Sequence, residues 1–177
     1  MYKPSMYSRH NESMEHFAAL FNASPICPHI LMKPKKREDF QCDGHFVNTK
    51  TGEKIGYDWE IRELYFANGN FEFQTLGQFE RNLLKPDIEL ALQADSSETA
   101  VAVSWHNDYK TEDIRDRSLR TDYSEKQKGK TKETDKFWII RYEEIAKLKA
   151  ILYRAFALSG RDRTFDTTDD DPSVFSP

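Results

Sequence analysis

From Ile55 to Ile61 every second side chain is apolar (Ile55, Tyr57, Trp59, Ile61), but the apolar positions that follow, Leu64 and Phe66, have changed parity. Strict alternation is the period of a strand with one buried face, which places the acids Asp58 and Glu60 together on the other face. A strand cannot exchange its faces without a bulge or a break, so the parity change constrains everything that follows it. Beyond it stands Asn68-Gly69, the two-residue sequence best suited to a hairpin turn whose positions both need positive φ. A ladder centred there sets Glu72 opposite Tyr65 and, if unbroken, leaves Asp58 and Glu72 on opposite faces. A bulge near Arg62-Glu63 reverses this: Asp58 and Glu60 then join Glu72 and Gln74, while Trp59 and Ile61 join Phe71 and Phe73. Gathered carboxylates repel unless a cation neutralises them or one holds a proton, and oxygen ligands of this kind suit Mg²⁺ or Mn²⁺.

Around this stretch the periodicity predicts an α/β order. "NESMEHFAALFNAS" puts Met14, Phe17, Ala18, Leu20 and Phe21 near one helical face, with Asn11 or Ser13 as cap and Pro25 as stop. The proline-rich "PICPHILMKPKKREDF" reads as an extended basic connection. "GHFVN", "KIGYDWEIRELYFA" and "NFEFQ" form a three-strand antiparallel meander, and "LGQFERNLLKPDIELALQ" follows as a helix that Pro86 divides. "TAVAVSWH" and "FWIIRY" are further strands, and "EEIAKLKAILYRAFALSG" is the C-terminal helix, with Gly160 just past its end. Residues 107–136 carry charges of both signs and few apolar side chains, which predicts a charged mobile segment, and 161–177 read as a disordered acidic tail. Residues 1–160 thus make a single α/β domain.

This order, with its acids, resembles the PD-(D/E)XK nuclease superfamily over roughly residues 12–106. That family's core is a helix, three antiparallel strands, a helix and a fourth strand, a restriction-endonuclease-like fold. The resemblance implies a metal-dependent nuclease that hydrolyses DNA or RNA phosphodiester bonds with Mg²⁺ or Mn²⁺. Asp58 and Glu72 would be metal ligands, Gln74 would stand at the family's lysine, and Glu60 would assist. Gln74 departs from the pattern, since an amide orients water but brings no charge. The alternative is therefore a non-catalytic nuclease-fold module that binds nucleic acid or protein. A second alignment takes Pro86-Asp87 with Ser104 and His106 but loses the acid. Glu15 on the first helix is a further candidate for the metal.

Other signals are less specific. Lys33, Lys35, Lys36 and Arg37 offer phosphate contacts. Cys27, His29, Cys42 and His45 have the composition of a zinc site without the spacing of a known module, and two unrelated reduced thiols are the plainer reading. His106 at a strand end is a candidate base, and Gln78 and Glu80 follow the site closely enough to support it. The formal net charge of −4 exerts no overall pull on nucleic acid, so binding requires local patches. No phosphate loop or activated serine or cysteine is recognisable, which argues against nucleotide-driven and acyl-transfer chemistry. The start of the chain lacks an apolar leader core and no run approaches the roughly 18 residues of a membrane span, so an intracellular, cytoplasmic protein is expected. Two Asn-x-Ser patterns, at Asn11 and Asn22, carry no weight in that setting. A homodimer or a protein partner stays open beside nucleic acid.

Overall fold

The computed structural model describes residues 4–35, 42–63, 65–68, 70–109, 114–118, 128–158 and 163–165, with backbone alone at 4–8, 114–118 and 128–130. Helix α1 (Pro4–Ala23) leads into strands β1 (Ile30–Pro34), β2 (Gly44–Asn48) and β3 (Lys54–Ile61). A two-strand ribbon, β4 (Phe66–Ala67) and β5 (Asn70–Phe71), is followed by β6 (Leu76–Phe79), the short helix α2 (Glu80–Leu83), β7 (Leu90–Ala94) and β8 (Ala100–Trp105). Then come β9 (Ile114–Ser118), β10 (Lys128–Thr134), β11 (Trp138–Arg141) and helix α3 (Ile145–Ala155). The fold is mixed α/β. A curled six-stranded sheet runs β1-β2-β3-β7-β8-β11, in which β3 and β7 are parallel and all other neighbours antiparallel. A three-stranded sheet, β6-β10-β9, is separate from it.

The core forms where the apolar parity of β3 meets the helices. Ile55, Tyr57 and Trp59 pack with Phe17 and Phe21 of α1, with Leu148, Ile151 and Leu152 of α3, and with Leu90, Leu92, Val101 and Val103 of the central strands. The Phe17 and Trp59 rings lie 5.3 Å apart. Both helices therefore cover the odd-numbered face of β3, and Asp58 and Glu60 are left to the opposite side. Lys149 is an unexpected member of the interior. It is fully buried, donates to the Ser24 carbonyl at 2.9 Å and sits 5.1 Å over the Phe21 ring, and burial lowers its pKa.

Several expectations are corrected. Helix α1 begins well before Asn11, so Asn11 and Ser13 lie inside it rather than capping it, and Leu20 is exposed. The supposed proline-rich connection contains β1. An edge strand needs no donor on its outer side, so Pro34 is tolerated there. Asn22 also clamps Met32 from both sides, accepting from its N–H at 2.8 Å and donating to its carbonyl at 3.0 Å. The antiparallel meander is thus β1-β2-β3, one strand earlier than the sequence suggests.

The hairpin register itself is as read: Phe66 pairs with Phe71 and Ala67 with Asn70, around an Asn68 with φ of 52°. Yet this ribbon is short and does not continue β3. The expected bulge at Arg62-Glu63 is replaced by the end of the strand, where the Arg62 N–H bonds the Ala94 carbonyl at 2.8 Å and the chain leaves the sheet. The helix read at Leu76–Gln93 is two strands joined by the one-turn helix α2 and a loop. Leu76–Phe79 pairs with β10 and is buried on both faces, and Leu90–Ala94 runs parallel to β3. The segment 107–136 is not wholly mobile, since β9 and β10 lie in it and Thr131, Glu133 and Thr134 are buried. Glu143 and Glu144 form a 3-10 turn ahead of α3 rather than its first turn, and Gly160 lies outside the described residues. In the tail, 163–165 dock on the body, with Arg163 buried.

The passage from β7's approach to β3 is tight at Gly56, where a Cβ would fall 1.7 Å from the Asp87 carbonyl oxygen. Gly56→Ala is expected to cost about 3 kcal/mol through backbone displacement, read as a lower urea midpoint at unchanged slope.

Candidate functional site

Asp58 occupies the centre of β3, between β2 and β7, on the face away from the helices. Strand β6 and helix α2 close over it. Gln78 donates to Asp58 Oδ2 at 3.0 Å, and Asn82 donates to the same oxygen at 3.3 Å and to Glu60 Oε1 at 3.0 Å. Gln78 is aimed by its own backbone neighbour, because its amide oxygen accepts the Phe79 N–H at 3.0 Å and turns the NH₂ towards the acid. Asn82 thus bridges the two carboxylates of β3, which share a face as their spacing requires. Arg62 forms an ion pair with Glu60, and its guanidinium lies 5.1 Å from the Phe79 ring centre.

A third acid comes from the entrance to β2. Asp43 accepts the Trp59 N–H at 2.7 Å, while its own N–H donates to the Tyr57 carbonyl at 3.0 Å. His10 of α1 reaches the same corner, with Nε2 2.6 Å from the Trp59 carbonyl and 3.9 Å from Asp43 Oδ2. Burial raises the Asp58 pKa well above the usual carboxylate range, Glu60 and Asp43 raise it further, and Lys85 and the Gln78 hydrogen bond oppose the rise. A proton or a cation is therefore favoured at Asp58. Among the described residues no three Asp, Glu, His or Cys side chains already stand in ligating geometry. Mg²⁺ does not require that, since it commonly takes one or two protein carboxylates and keeps several waters.

Glu72 and Gln74 are not among the groups that meet Asp58. Both are exposed, and the Glu72 N–H is spent on the Tyr65 carbonyl at 3.1 Å within the ribbon. The reason is the break after Ile61: without a continuous ladder, the residues beyond the turn never oppose those of β3. Glu15 is exposed on α1, the helix that packs against the other face. Ser104 bonds the Tyr109 hydroxyl at 2.7 Å and Asp87 is exposed, so the Pro86-Asp87 alignment gathers no site. Lys33 is exposed and Lys35 half-buried, while Lys36 and Arg37 lie outside the described residues.

The zinc grouping is split. The His29 carbonyl accepts from Thr49, one step beyond the Ile30–Asn48 pair, whereas His45 opposes Lys33, which sets the two pairs about 13 Å apart along the ladder. Cys42 Sγ lies 3.7 Å from His45 Nε2, Cys27 packs in the core with its pKa raised by burial, and neither is in a disulfide.

His106 is a poor base. Both ring nitrogens are shut off from solvent, and burial lowers its pKa to about 4. Its folded value lies below the unfolded 6.5, so the stability from the neutral ring is whole above pH 6.5 and is lost as pH falls towards 4. His106→Leu is expected to remove on the order of 3 kcal/mol of that acid-side loss, measured by denaturant unfolding at a series of pH values.

Sequence reasoning missed Asp43, Arg62, Asn82 and Lys85. Asp43 carried a usable signal, since it directly precedes the strand opening at Gly44. The fold and site together define a mixed α/β domain whose sheet holds a buried carboxylate, with a half-buried one beside it, beneath two amide side chains. No family model matches this chain, and a search of curated proteins finds no significant match.

Proposed function

We propose that this domain is a metal-dependent nuclease acting on DNA or RNA phosphodiester bonds, with Asp58 as the central ligand and Asp43 and Glu60 beside it. The observation that carries the reading is the burial of Asp58 against two further acids, an arrangement that disfavours its charge until a cation arrives. The topology supports it as well. In the superfamily resembled, the acids sit on the second and third strands of an antiparallel meander, and Asp43 opens β2 while Asp58 lies on β3. The strand after the crossover, β7, is parallel to β3. Glu60 then stands two residues after the acid, where the family has lysine, and Lys85 and Arg62 supply the nearby positive charge. Bound there, Mg²⁺ or Mn²⁺ would neutralise phosphate charge and lower the pKa of a water. The protein's share is to hold the carboxylates fixed, through Gln78, Asn82 and the Trp59 N–H. A cytoplasmic setting agrees with two cysteines that form no disulfide.

The rival, a non-catalytic binding module, draws on one observation: Asp58 and Glu60 are already satisfied by amides and Arg62, and no lysine follows Asp58 at the family's spacing. The test is cleavage of labelled single- and double-stranded DNA and RNA with Mn²⁺. Asp58→Ala and Asp43→Ala are each expected to lower the rate at least about a hundredfold, with Glu72→Ala and Gln74→Ala close to wild type. Full activity in the Asp58 variant would reject the site, and no cleavage by the wild type on any substrate favours the module.

A further inference from the structure

The ribbon that broke away from β3 carries a group of aromatic rings with no part in the core. Tyr65 stacks on Phe71 (5.8 Å, 21°) and meets Phe73 edge-on (5.3 Å, 86°). Phe66 and Phe137 each contact Phe71, at 5.4 and 5.0 Å. Tyr65 is buried, Phe66, Phe71 and Phe137 are half-buried, and Phe73 is 42% exposed. The rings therefore form a ledge that opens outward from Tyr65.

That inner end adjoins the acids. The Tyr65 hydroxyl lies against Gly77 of β6, 2.6 Å from where a Cβ would be, and the same strand reaches Asp58 from its other side through the next residue, Gln78. Cations flank the outer end: Arg141 donates to Asn70 Oδ1 at 3.3 Å, and exposed Lys136 precedes Phe137. We propose that this ledge stacks an unpaired base of a single-stranded nucleic acid, so that the strand's backbone runs past Arg141 and Lys136 to the Asp58 site. The inference rests on the nuclease reading and narrows its substrate to single strands.

Size separates this occupant from a protein. A stable protein interface needs about 800 Å² from each partner. The large exposed apolar side chains among the described residues are Leu20, Phe73, Leu84, Tyr153 and Leu158, and Phe73 alone belongs to this ledge. One open ring backed by others suits the face of a base, and such stacking tolerates any sequence.

The experiment measures binding by fluorescence anisotropy, using full-length protein carrying Asp58→Asn in EDTA, so that cleavage does not intervene. The probes are a short oligothymidylate, an abasic phosphodiester oligomer of the same length, and a blunt duplex. Phe73→Ala is expected to weaken oligothymidylate binding roughly tenfold and to leave the abasic oligomer unaffected. Phe73→Trp is expected to restore the affinity, with its fluorescence quenched at saturation. Equal loss on both oligomers, no loss, or an unquenched tryptophan overturns the ledge. So does a change confined to sedimentation mass, which would make a second copy the occupant. Mn²⁺-dependent cleavage by wild type that Phe73→Ala leaves intact removes the ledge and spares the nuclease reading. Absence of binding to all three probes by the Asp58→Asn protein, together with no Mn²⁺-dependent cleavage by wild type, removes both.

Discussion

Asp58→Asn is expected to raise the melting temperature of the metal-free protein at neutral pH while abolishing its response to Mn²⁺. The folded pKa of Asp58 is raised above the unfolded value of 3.8. The stability associated with its protonated form is thus whole below pH 3.8 and is lost as pH rises through the folded pKa. Above that window the wild type holds an unfavourable charge among Glu60, Asp43 and buried surface, and asparagine does not. The variant's advantage should be absent in acid, grow through the window and level off at about 1–2 kcal/mol, the usual scale of a stabilising single substitution. If the proposed metal site exists, millimolar Mn²⁺ is expected to invert the order, since selective binding to the native state would stabilise the wild type alone. The measurement is differential scanning calorimetry of both proteins across pH, with and without metal. A variant less stable than wild type at neutral pH without metal would contradict the electrostatic account of the site.

Arg163→Ala carries the largest expected loss of stability, about 3–4 kcal/mol, because it removes a buried guanidinium that holds half-buried Glu89 and two carbonyls at the end of a helix. Arg163 pairs with Glu89, donates from Nε to the Ala155 carbonyl at 3.1 Å and from Nη2 to Leu158 at 3.3 Å. Its cation therefore adds a second donor to the Ala155 carbonyl, holds the Leu158 carbonyl just past α3 and sits at the negative end of the helix. The same segment is tied down by the Phe165 N–H on Asp108 at 2.6 Å and by the Phe165 ring 4.3 Å from Trp138. Chemical unfolding of Arg163→Ala should show this loss, and Arg163→Lys should recover only part of it, since a single ammonium cannot hold several diverging acceptors. A truncation before residue 163 should behave like the alanine variant. Stability unchanged in both would mean that the segment is not held by these contacts.

Much of the fold was legible where one face of an element meets the core. The apolar run of β8 and the stripe of α3 bury what their period says they bury, and so do Ile55, Tyr57 and Trp59 of the β3 alternation, while Ile61 is only half-buried and Asp58 is buried on the other face. The reading failed where neighbours distant in sequence decide. "LGQF" has helical spacing up to Leu84, but pairing of Leu76–Phe79 with Thr131–Thr134 makes it a strand, and Leu84 is left 73% exposed. "ILMKP" lacks strand alternation in a clear form because an edge strand under a helix tolerates Pro34 and Lys33 on its open side. The parity change after Ile61 was real, but its cause was a departure from the sheet, and that choice rests on the Arg62–Ala94 bond across to β7.

By itself the sequence determined that Asp58 and Glu60 share the non-core face of a strand, because a period of two residues needs no partner to be read. It determined the Asn68 turn and its register for the same reason, the backbone demand being local. Only the tertiary structure decided which groups those acids meet. Gln78 and Asn82 stand 20 and 24 residues from Asp58 and reach it because β6 and α2 are carried across the sheet by a pairing with β10. Asp43 arrives from β2 on the other side. A buried charge takes its properties from everything packed around it, and that packing is assembled from segments whose association no local pattern encodes.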